Sequence, residues 1–212
     1  MNAMIPFLIF LLSYVIGSFP TAYIVGRINH VNIFEMGSGN MGATNVVRAV
    51  GFKWGVFVWL VDSLKGAIAV ALARVMMPWD WMAASVIGGI SVIVGHNWSF
   101  LATIITGKLR GGKGAATTAG TVLLMAPAQV IILIAAIWAA IVLLTRYVSL
   151  GVLLAALGGA IWMLILIAQP GTNIPQLYSI YTVAVVAMLC VRHWKNILRL
   201  LAGNERRIGE AA

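Results

Sequence analysis

The sequence has 212 residues, of which 62% are hydrophobic and only 9% are charged. Because a soluble domain carries roughly 25% charged residues, this composition excludes a soluble globular protein. The formal net charge is +9, but most Lys and Arg residues flank apolar runs, which indicates membrane topology rather than nucleic-acid binding. Apolar runs recur along the whole length with short connections, which predicts a single all-α, polytopic membrane domain over residues 1–212.

The first apolar run covers residues 5–25 and is followed at once by Arg27. Since positive flanks favour the cytoplasmic side, we expect the N-terminus to lie outside. Pro20 lies near the end of this run and predicts a kink there, because proline removes a backbone donor.

The second span, Phe52 to about Met77, carries Asp62 and Lys65 on one helix face, three residues apart. Charged groups inside an apolar helix are costly unless they are paired or face a polar interior. An ion pair that joins helices and a direct catalytic role both fit this spacing. The third span begins at Trp81 and reaches at least Val94.

The stretch between Lys113 and Arg146 is long for one crossing of a hydrocarbon core about 30 Å thick, and it is broken at Ala126-Pro127. Two crossings place Arg146 and the basic C-terminal tail in the cytoplasm, as the charge rule requires, whereas one does not. We therefore expect seven transmembrane helices, with the C-terminus inside. The last elements are a sixth span at 148–168, a seventh at 177–191 and a basic amphipathic helix after it.

Two polar, glycine-rich segments lie on the predicted cytoplasmic side: Gly37–Gly51, GSGNMGATNVVRAVG, and Thr106–Thr118, TGKLRGGKGAATT. Glycine lets backbone N–H groups approach a ligand closely, and Arg or Lys adds a cation that suits phosphate. Read as loops, both segments predict anion cradles. The GxGxxG pattern in the first and the near P-loop in the second carry no weight, because no β-strand precedes either.

Seven sequence pieces together resemble a known family. They are GSFPTAY at 17–23, SGNMGATNVVRAVG at 38–51, DSLKG at 62–66, GH at 95–96, GGKGAATT at 111–118, RYVSL at 146–150 and RHWKNILRLLAGNE at 192–205. In this order they look like the acyl-phosphate-dependent glycerol-3-phosphate acyltransferases of bacterial membranes. The segment from the GH histidine to GGKG, Asn97–Arg110, is longer than is usual in that family, which leaves the position of His96 relative to Lys113 open.

The resemblance implies transfer of a fatty acyl group from a long-chain acyl phosphate to the 1-hydroxyl of glycerol 3-phosphate. The products are lysophosphatidic acid and phosphate, in the first step of phospholipid synthesis. It implies a multi-pass protein of the bacterial cytoplasmic membrane, in contact with membrane lipids, with its active site at the cytoplasmic face. We expect no cofactor, no metal and no nucleic acid, and the enzyme that makes acyl phosphate is a candidate partner.

An acyl phosphate is already activated, so an acyl-enzyme is not needed, and no Gly-x-Ser-x-Gly nucleophile elbow is present. Neutralising two phosphates and orienting a hydroxyl supply much of what catalysis requires. The catalytic candidates are Ser38, Arg48, Lys113, His193 and Asn196, the first three of them on the phosphate of glycerol 3-phosphate. The substrate-binding candidates are Gly39, Asn40, Thr44, Asn45, His96, Gly111, Gly112, Gly114, Ser149 and Glu205.

The general base is left open by the residues. His193 or His96 could accept the hydroxyl proton, or the departing phosphate could take it, and we favour the phosphate. For both histidines we favour a structural imidazole. The alternative function is a small-solute transporter or channel, but its polar groups would be expected near the membrane midplane, whereas here they collect on one face.

Overall fold

A computed structural model describes residues 3–210, and these form α-helices with no β-strand. The helices are α1 Met4–Ser18, α2 Thr21–Ile28, α3 Ala43–Val50, α4 Phe52–Met76, α5 Trp81–Asn97, α6 Phe100–Thr106, α7 Ala115–Met125, α8 Ala128–Thr145, α9 Val148–Ala168, α10 Tyr178–Arg192 and α11 Trp194–Leu201. A short 3₁₀ turn, Pro78–Asp80, precedes α5. The prediction of an all-α fold is confirmed.

Proline sets the two helix breaks that the sequence indicates. Phe19 and Pro20 separate α1 from α2, and Ala126 with Pro127 separates α7 from α8. In both places the ring removes a backbone donor and restricts the residue before it. The stretch from Lys113 to Arg146 is therefore two helices, as expected.

Five segments are long and apolar enough to cross a membrane. They are Met4–Ile28, Phe52–Met76, Pro78–Asn97, Ala128–Thr145 and Val148–Ala168. Two shorter apolar helices, Ala115–Met125 and Tyr178–Arg192, lie where the sequence predicts the fourth and seventh spans. The protein is thus an integral membrane protein with several apolar helices, while the count of seven spans and the orientation of the termini stay predictions.

Two short helices were not expected from the sequence. Residues 43–50 of the first glycine-rich segment form α3, so the irregular part is confined to Gly37–Gly42. Gly42 and Gly51 bound this helix, and it buries Val46 against Val58 of α4. Residues 100–106 form α6, which buries Ala102 in the same cluster. Burial of a few apolar side chains stabilises helices that are too short to form alone.

The described residues divide into two compact units, one ending at Leu124 and one comprising Met125–Glu210. The single domain expected from the sequence therefore stays a prediction. In the first unit α1 packs on α5, and α4 packs on both. A Cβ built on Gly66 of α4 would collide with the carbonyl of Thr117, so glycine allows this close approach of α4 to α7.

The second unit is built around α9, which packs against α8, α10 and α11. Helix α8 ends at Arg146, whose φ of 63° turns the chain directly into α9. The Arg146 guanidinium donates to the carbonyl oxygen of Ile208 at 2.7 Å, and the Ile208 N–H donates to the Arg146 carbonyl at 2.8 Å. The C-terminal tail is thereby held against the turn between α8 and α9.

Candidate active site

The first glycine-rich loop, Gly37–Gly42, is shaped by two left-handed glycines. Gly37 has a φ of 56° and Gly39 a φ of 64°, a region that residues with a Cβ rarely adopt. A Cβ on Gly39 would also lie 2.9 Å from the carbonyl oxygen of Phe34. Conformation and space therefore both require glycine at position 39.

Asn45, at the start of α3, braces this loop from inside. Its Oδ1 accepts hydrogen bonds from the Ser38 backbone N–H at 2.8 Å and from the Ser38 hydroxyl at 3.2 Å. Its Nδ2 donates to the carbonyl oxygen of Ile33 at 2.9 Å, and the residue is only 2% exposed. Both ends of this amide are engaged within the protein, and its Oδ1 holds the backbone and the hydroxyl of Ser38.

Helix α3 also carries Thr44 and Arg48, which lie one turn apart and therefore on one face. A Cβ on Gly37 would lie 3.8 Å from Cδ of Arg48, so the arginine stem runs beside the glycine-rich loop. Asn40 lies across the loop and donates from Nδ2 to the Ser38 carbonyl at 3.2 Å. A loop with backbone amides, a hydroxyl and a neighbouring guanidinium has the chemistry of a phosphate site.

The second glycine-rich loop, Arg110–Gly114, lies against the first. The Met41 N–H donates to the Gly111 carbonyl at 3.4 Å, and the Gly112 N–H donates to the His96 carbonyl at 2.9 Å. Gly114 has a φ of 82° and leads into α7, so Lys113 is held between glycines at the entrance to that helix. The structure thus brings the Ser38 loop and the Lys113 loop together within the first unit.

His96 is buried at the end of α5, beside this second loop. Its Nδ1 lies 2.8 Å from Nζ of Lys65. A Cβ on Gly112 would collide with its Nε2, so the imidazole packs directly on the backbone of Gly112. The longer segment between His96 and Gly111 folds away as α6 and returns through a bridge in which the Ser99 N–H donates to the Arg110 carbonyl at 2.9 Å.

Asp62 and Lys65 form a buried ion pair, with 2.8 Å between Oδ1 and Nζ. The Thr21 hydroxyl donates to Oδ1 of Asp62 at 3.1 Å, and Nζ of Lys65 donates to the Phe19 carbonyl at 3.3 Å. Together with His96, these contacts connect α4 to α2 and α5. Of the two interpretations of this pair, the structure supports the ion pair that joins helices.

The second unit holds a separate polar cluster around the carboxylate of Glu205. Its Oε1 accepts from the Ser149 hydroxyl at 2.8 Å and from Nδ2 of Asn196 at 2.5 Å. Its Oε2 accepts from Nε of Arg199 at 2.7 Å. The structure therefore joins three of the predicted site residues, from α9, α11 and the tail, and adds Arg199, which the sequence analysis did not single out.

This environment changes the acidity of Glu205. Burial alone raises the pKa of a carboxyl group, but hydrogen bonds from Asn196, Arg199 and Ser149 favour the charged form and outweigh it. The pKa of Glu205 is consequently lowered from its ordinary value of 4.5. The group is a fixed carboxylate at neutral pH, which suits positioning rather than proton transfer.

His193 lies where α10 passes into α11. Its Nδ1 donates to the Leu189 carbonyl at 2.9 Å, because a carbonyl oxygen can only accept. In the neutral imidazole the acceptor is then Nε2. The Asn196 N–H donates to the His193 carbonyl at 2.8 Å, which ties this histidine to the Glu205 cluster.

Comparison with known proteins identifies the chain. A family model described as glycerol-3-phosphate acyltransferase matches residues 7–203. Glycerol-3-phosphate acyltransferase 2 of Moorella thermoacetica is 40% identical over 199 residues, which cover 93% of this chain and 95% of that protein. The chain belongs to the glycerol-3-phosphate acyltransferase family.

Other members of the glycerol-3-phosphate acyltransferase family agree in sequence and in fold. An enzyme of Thermus thermophilus is 39% identical over 210 residues, covering 95% of this chain and 94% of that protein. The crystal structure of PlsY (YgiH), an integral membrane glycerol 3-phosphate acyltransferase in its glycerol 3-phosphate form, matches with a TM-score of 0.83. The two chains are 31% identical, and the match covers 96% of each.

Within this acyltransferase, the predicted site residues fall into two groups. Ser38, Gly39, Asn40, Thr44, Asn45, Arg48, His96, Gly111, Gly112, Lys113 and Gly114 belong to the first unit. Ser149, His193, Asn196 and Glu205 belong to the second.

Proposed function

We propose that this acyltransferase uses acyl phosphate as its donor and releases lysophosphatidic acid and inorganic phosphate. The observation that carries the proposal is the hydrogen bond from Met41 to Gly111, because it unites two glycine-rich, cationic loops in one unit. Both proposed substrates carry phosphate, and two such loops provide backbone donors and cations for two anions. The PlsY neighbours have been crystallised in a glycerol 3-phosphate form and in a lysophosphatidic acid form, which supports this substrate and product.

The reaction is a direct acyl transfer. The 1-hydroxyl oxygen of glycerol 3-phosphate attacks the carbonyl carbon of the acyl phosphate and forms the new ester bond. The bond from that carbon to the phosphate oxygen breaks, and phosphate departs with the bonding electrons. The proton of the hydroxyl passes to the departing phosphate, so the substrate supplies its own base.

In this proposal each of the two phosphates is held by residues from both glycine-rich segments. Ser38, Arg48 and Lys113 hold the phosphate of glycerol 3-phosphate, since arginine offers a planar, two-pronged donor and lysine a compact charge. Asn40 and the Gly111 N–H hold the acyl phosphate and the oxyanion that develops on its carbonyl. Gly39 and Gly112 let the backbone come close to this substrate because they lack a side chain, since their own N–H groups donate to the carbonyls of Met36 and His96 at 2.9 Å. Asn45 acts through Ser38: it holds the Ser38 N–H, while the Ser38 hydroxyl turns from Oδ1 of Asn45 to the phosphate when the substrate binds.

Within the second unit, Ser149, Asn196 and Glu205 are proposed as positioning groups. Glu205 keeps Ser149 and Asn196 in place through its two hydrogen bonds to them. His193 has an acceptor at Nε2 when it is neutral, which makes it the histidine to test as an alternative base. A His193→Ala variant that keeps the wild-type rate over the whole pH range excludes that role.

We also infer that the enzyme resides in the bacterial cytoplasmic membrane with its loops on the cytoplasmic side. The glycine-rich loops and the tail follow spans whose basic flanks favour that side. Acyl phosphate would then arrive from the cytoplasmic enzyme that makes it, which remains the candidate partner.

The decisive experiment is a donor comparison with the purified protein in detergent. We expect phosphate release and lysophosphatidic acid formation from palmitoyl phosphate plus glycerol 3-phosphate, and neither product when palmitoyl-CoA replaces the acyl phosphate. Equal or faster acylation from palmitoyl-CoA would overturn the proposed donor. Uptake of a solute into vesicles without any acyl donor would instead favour a transporter.

A further inference from the structure

A pair of buried charges on α4 has no assigned part in the chemistry. Asp62 and Lys65 are 2% and 6% exposed, and His96 is 3% exposed. A charged group in an apolar, membrane-crossing helix is expensive and is most often kept for function. The contacts of this pair point to what that function is.

The contact with Lys65 determines which ring nitrogen of His96 carries the proton. A lysine ammonium has three donors and no acceptor, so the 2.8 Å contact between Nζ of Lys65 and Nδ1 of His96 requires Nδ1 to be the acceptor. Against the Lys65 ammonium, an imidazolium would set N–H against N–H, and Oδ1 of Asp62 lies 3.9 Å from Nδ1, beyond hydrogen-bond distance. The neutral ring must then carry its proton on Nε2.

Nζ of Lys65 lies among three acceptors. Besides Nδ1 of His96, it lies 2.8 Å from Oδ1 of Asp62 and donates to the Phe19 carbonyl at 3.3 Å. These three acceptors match the three N–H donors of an ammonium. Asp62 is itself held by the Thr21 hydroxyl, so the orientation of the whole chain of contacts is fixed from α2 to α5.

Nε2 of His96 lies beside Gly112. A Cβ on Gly112 would collide with Nε2, so this nitrogen abuts the loop that carries Lys113. We propose that Lys65, held by Asp62, is a positioning residue that locks His96 as the Nε2–H tautomer, so that His96 presents a hydrogen-bond donor to the Arg110–Gly114 loop and its anionic substrate. A protonated Nε2 cannot accept a proton, so His96 is not the general base.

This inference rests on the proposed function only in so far as the anion bound at the Arg110–Gly114 loop is a substrate of the acyltransferase. The tautomer is a property of the protein alone and can be measured without any ligand. If the enzyme does not use acyl phosphate, the measured tautomer of His96 is therefore unaffected. If the tautomer differs from the one proposed, the proposed acyl donor is likewise unaffected.

The test is nitrogen NMR on protein labelled with ¹⁵N-histidine. The chain has three histidines, so the His96 signals are assigned as those that disappear in His96→Gln. We expect an unprotonated Nδ1 and a protonated Nε2 for His96 at neutral pH, and the opposite pattern for His193, whose Nδ1 donates to Leu189. A protonated Nδ1 on His96, as the other tautomer or as the imidazolium, would overturn the proposal.

Variants then test whether Lys65 sets the tautomer. Lys65→Met removes the donor, and we expect the His96 pattern to change to a mixture of tautomers. Lys53→Met is the matched control, because Lys53 is an exposed lysine on the same helix. If His96 keeps its Nε2–H tautomer in folded Lys65→Met, Lys65 does not set the tautomer. If that variant does not fold, the spectrum of the wild type still shows which tautomer His96 adopts.

Activity supplies the last comparison. Glutamine carries an amide N–H near the position of Nε2, whereas alanine carries none. We expect the kcat of His96→Gln to be at least about tenfold higher than that of His96→Ala, because the loss of a hydrogen-bond donor to an oxyanion or phosphate typically lowers kcat. Equal losses in both variants would reject a donor role for His96.

Discussion

At the scale of single residues, Asn45 sets the shape of the first glycine-rich loop. Its amide accepts twice from Ser38 and donates once to Ile33, in a site that is 2% exposed. A buried acceptor or donor that loses its partner costs about 1–3 kcal/mol. The same residue therefore contributes to stability and to the position of Ser38.

Replacing Asn45 by alanine should lower both stability and activity. The Ile33 carbonyl and the Ser38 N–H lose their partner, so we expect a lower thermal midpoint in detergent and at least about a tenfold lower kcat/KM, in line with a misplaced substrate donor. Asn32→Ala is the control, since the Asn32 amide bonds only to exposed groups of Phe34 and Glu35. Wild-type kinetics in Asn45→Ala would contradict the role given to this residue.

Arg48 is the residue on which the phosphate assignment depends. We expect Arg48→Ala to raise the KM for glycerol 3-phosphate by about tenfold or more, because a charge-assisted hydrogen bond contributes about 1.5–3 kcal/mol. Arg48→Lys should lose less, since it keeps the charge without the planar fork. Arg27→Ala, which removes an exposed arginine outside the proposed site, should leave the KM unchanged. An unaltered KM in Arg48→Ala would refute the assignment.

At the scale of elements, the C-terminal tail is held by ionic and polar contacts rather than by a helix. After α11 ends at Leu201, Glu205 bonds to Ser149, Asn196 and Arg199, and Ile208 exchanges two hydrogen bonds with Arg146. These contacts connect the tail to α9, α11 and the turn before α9. Its docking should therefore depend on the charge of Glu205.

The pH dependence of stability tests this docking. Because the folded pKa of Glu205 is below its ordinary value of 4.5, its stabilisation is complete above about pH 4.5 and is lost as the pH falls through the lower folded value. We expect the thermal midpoint of the wild type to fall more steeply below about pH 4.5 than that of Glu205→Gln. Glu210→Gln, which changes an exposed carboxyl group of the same tail, should follow the wild type. Parallel curves for the wild type and Glu205→Gln would contradict this prediction.

At the scale of the whole molecule, we predict the arrangement in the membrane from the charged flanks of the spans. Seven apolar helical segments are present among the described residues: five are long enough to span a membrane, with α1 and α2 counted as one, and two are shorter. With seven crossings, the connections after α4 and after α9 lie outside, and those that carry the glycine-rich loops lie inside. The predicted topology would bring the proposed phosphate-binding loops to the side where soluble phosphate compounds are made.

Cysteine labelling can decide this topology. Cys190, the single cysteine, would first be replaced by alanine. Cysteines introduced at Lys108 and Glu210 should react with a membrane-impermeant maleimide only from the cytoplasmic side, and those at Asp80 and Asn173 only from the outer side. A cysteine at Asp80 that reacts from the cytoplasmic side would exclude the seven-span arrangement.

The sequence by itself determined the class, the helix breaks and the family. Composition fixes a polytopic helical protein, prolines fix the breaks at Pro20 and Pro127, and the ordered motifs fix the glycerol-3-phosphate acyltransferase family. All three depend on local composition or on residue identity along the chain, so they can be read without knowing which residues meet.

Only the tertiary structure decided which of the predicted site residues contact one another. It showed that Asn45 braces Ser38, that Met41 joins the two loops, and that Lys65 faces His96. It also turned residues 43–50 and 100–106 into helices, because burial of Val46 and Ala102 stabilises segments whose own propensity is weak. Contacts between positions far apart in the chain depend on how helices pack, and no local pattern encodes them.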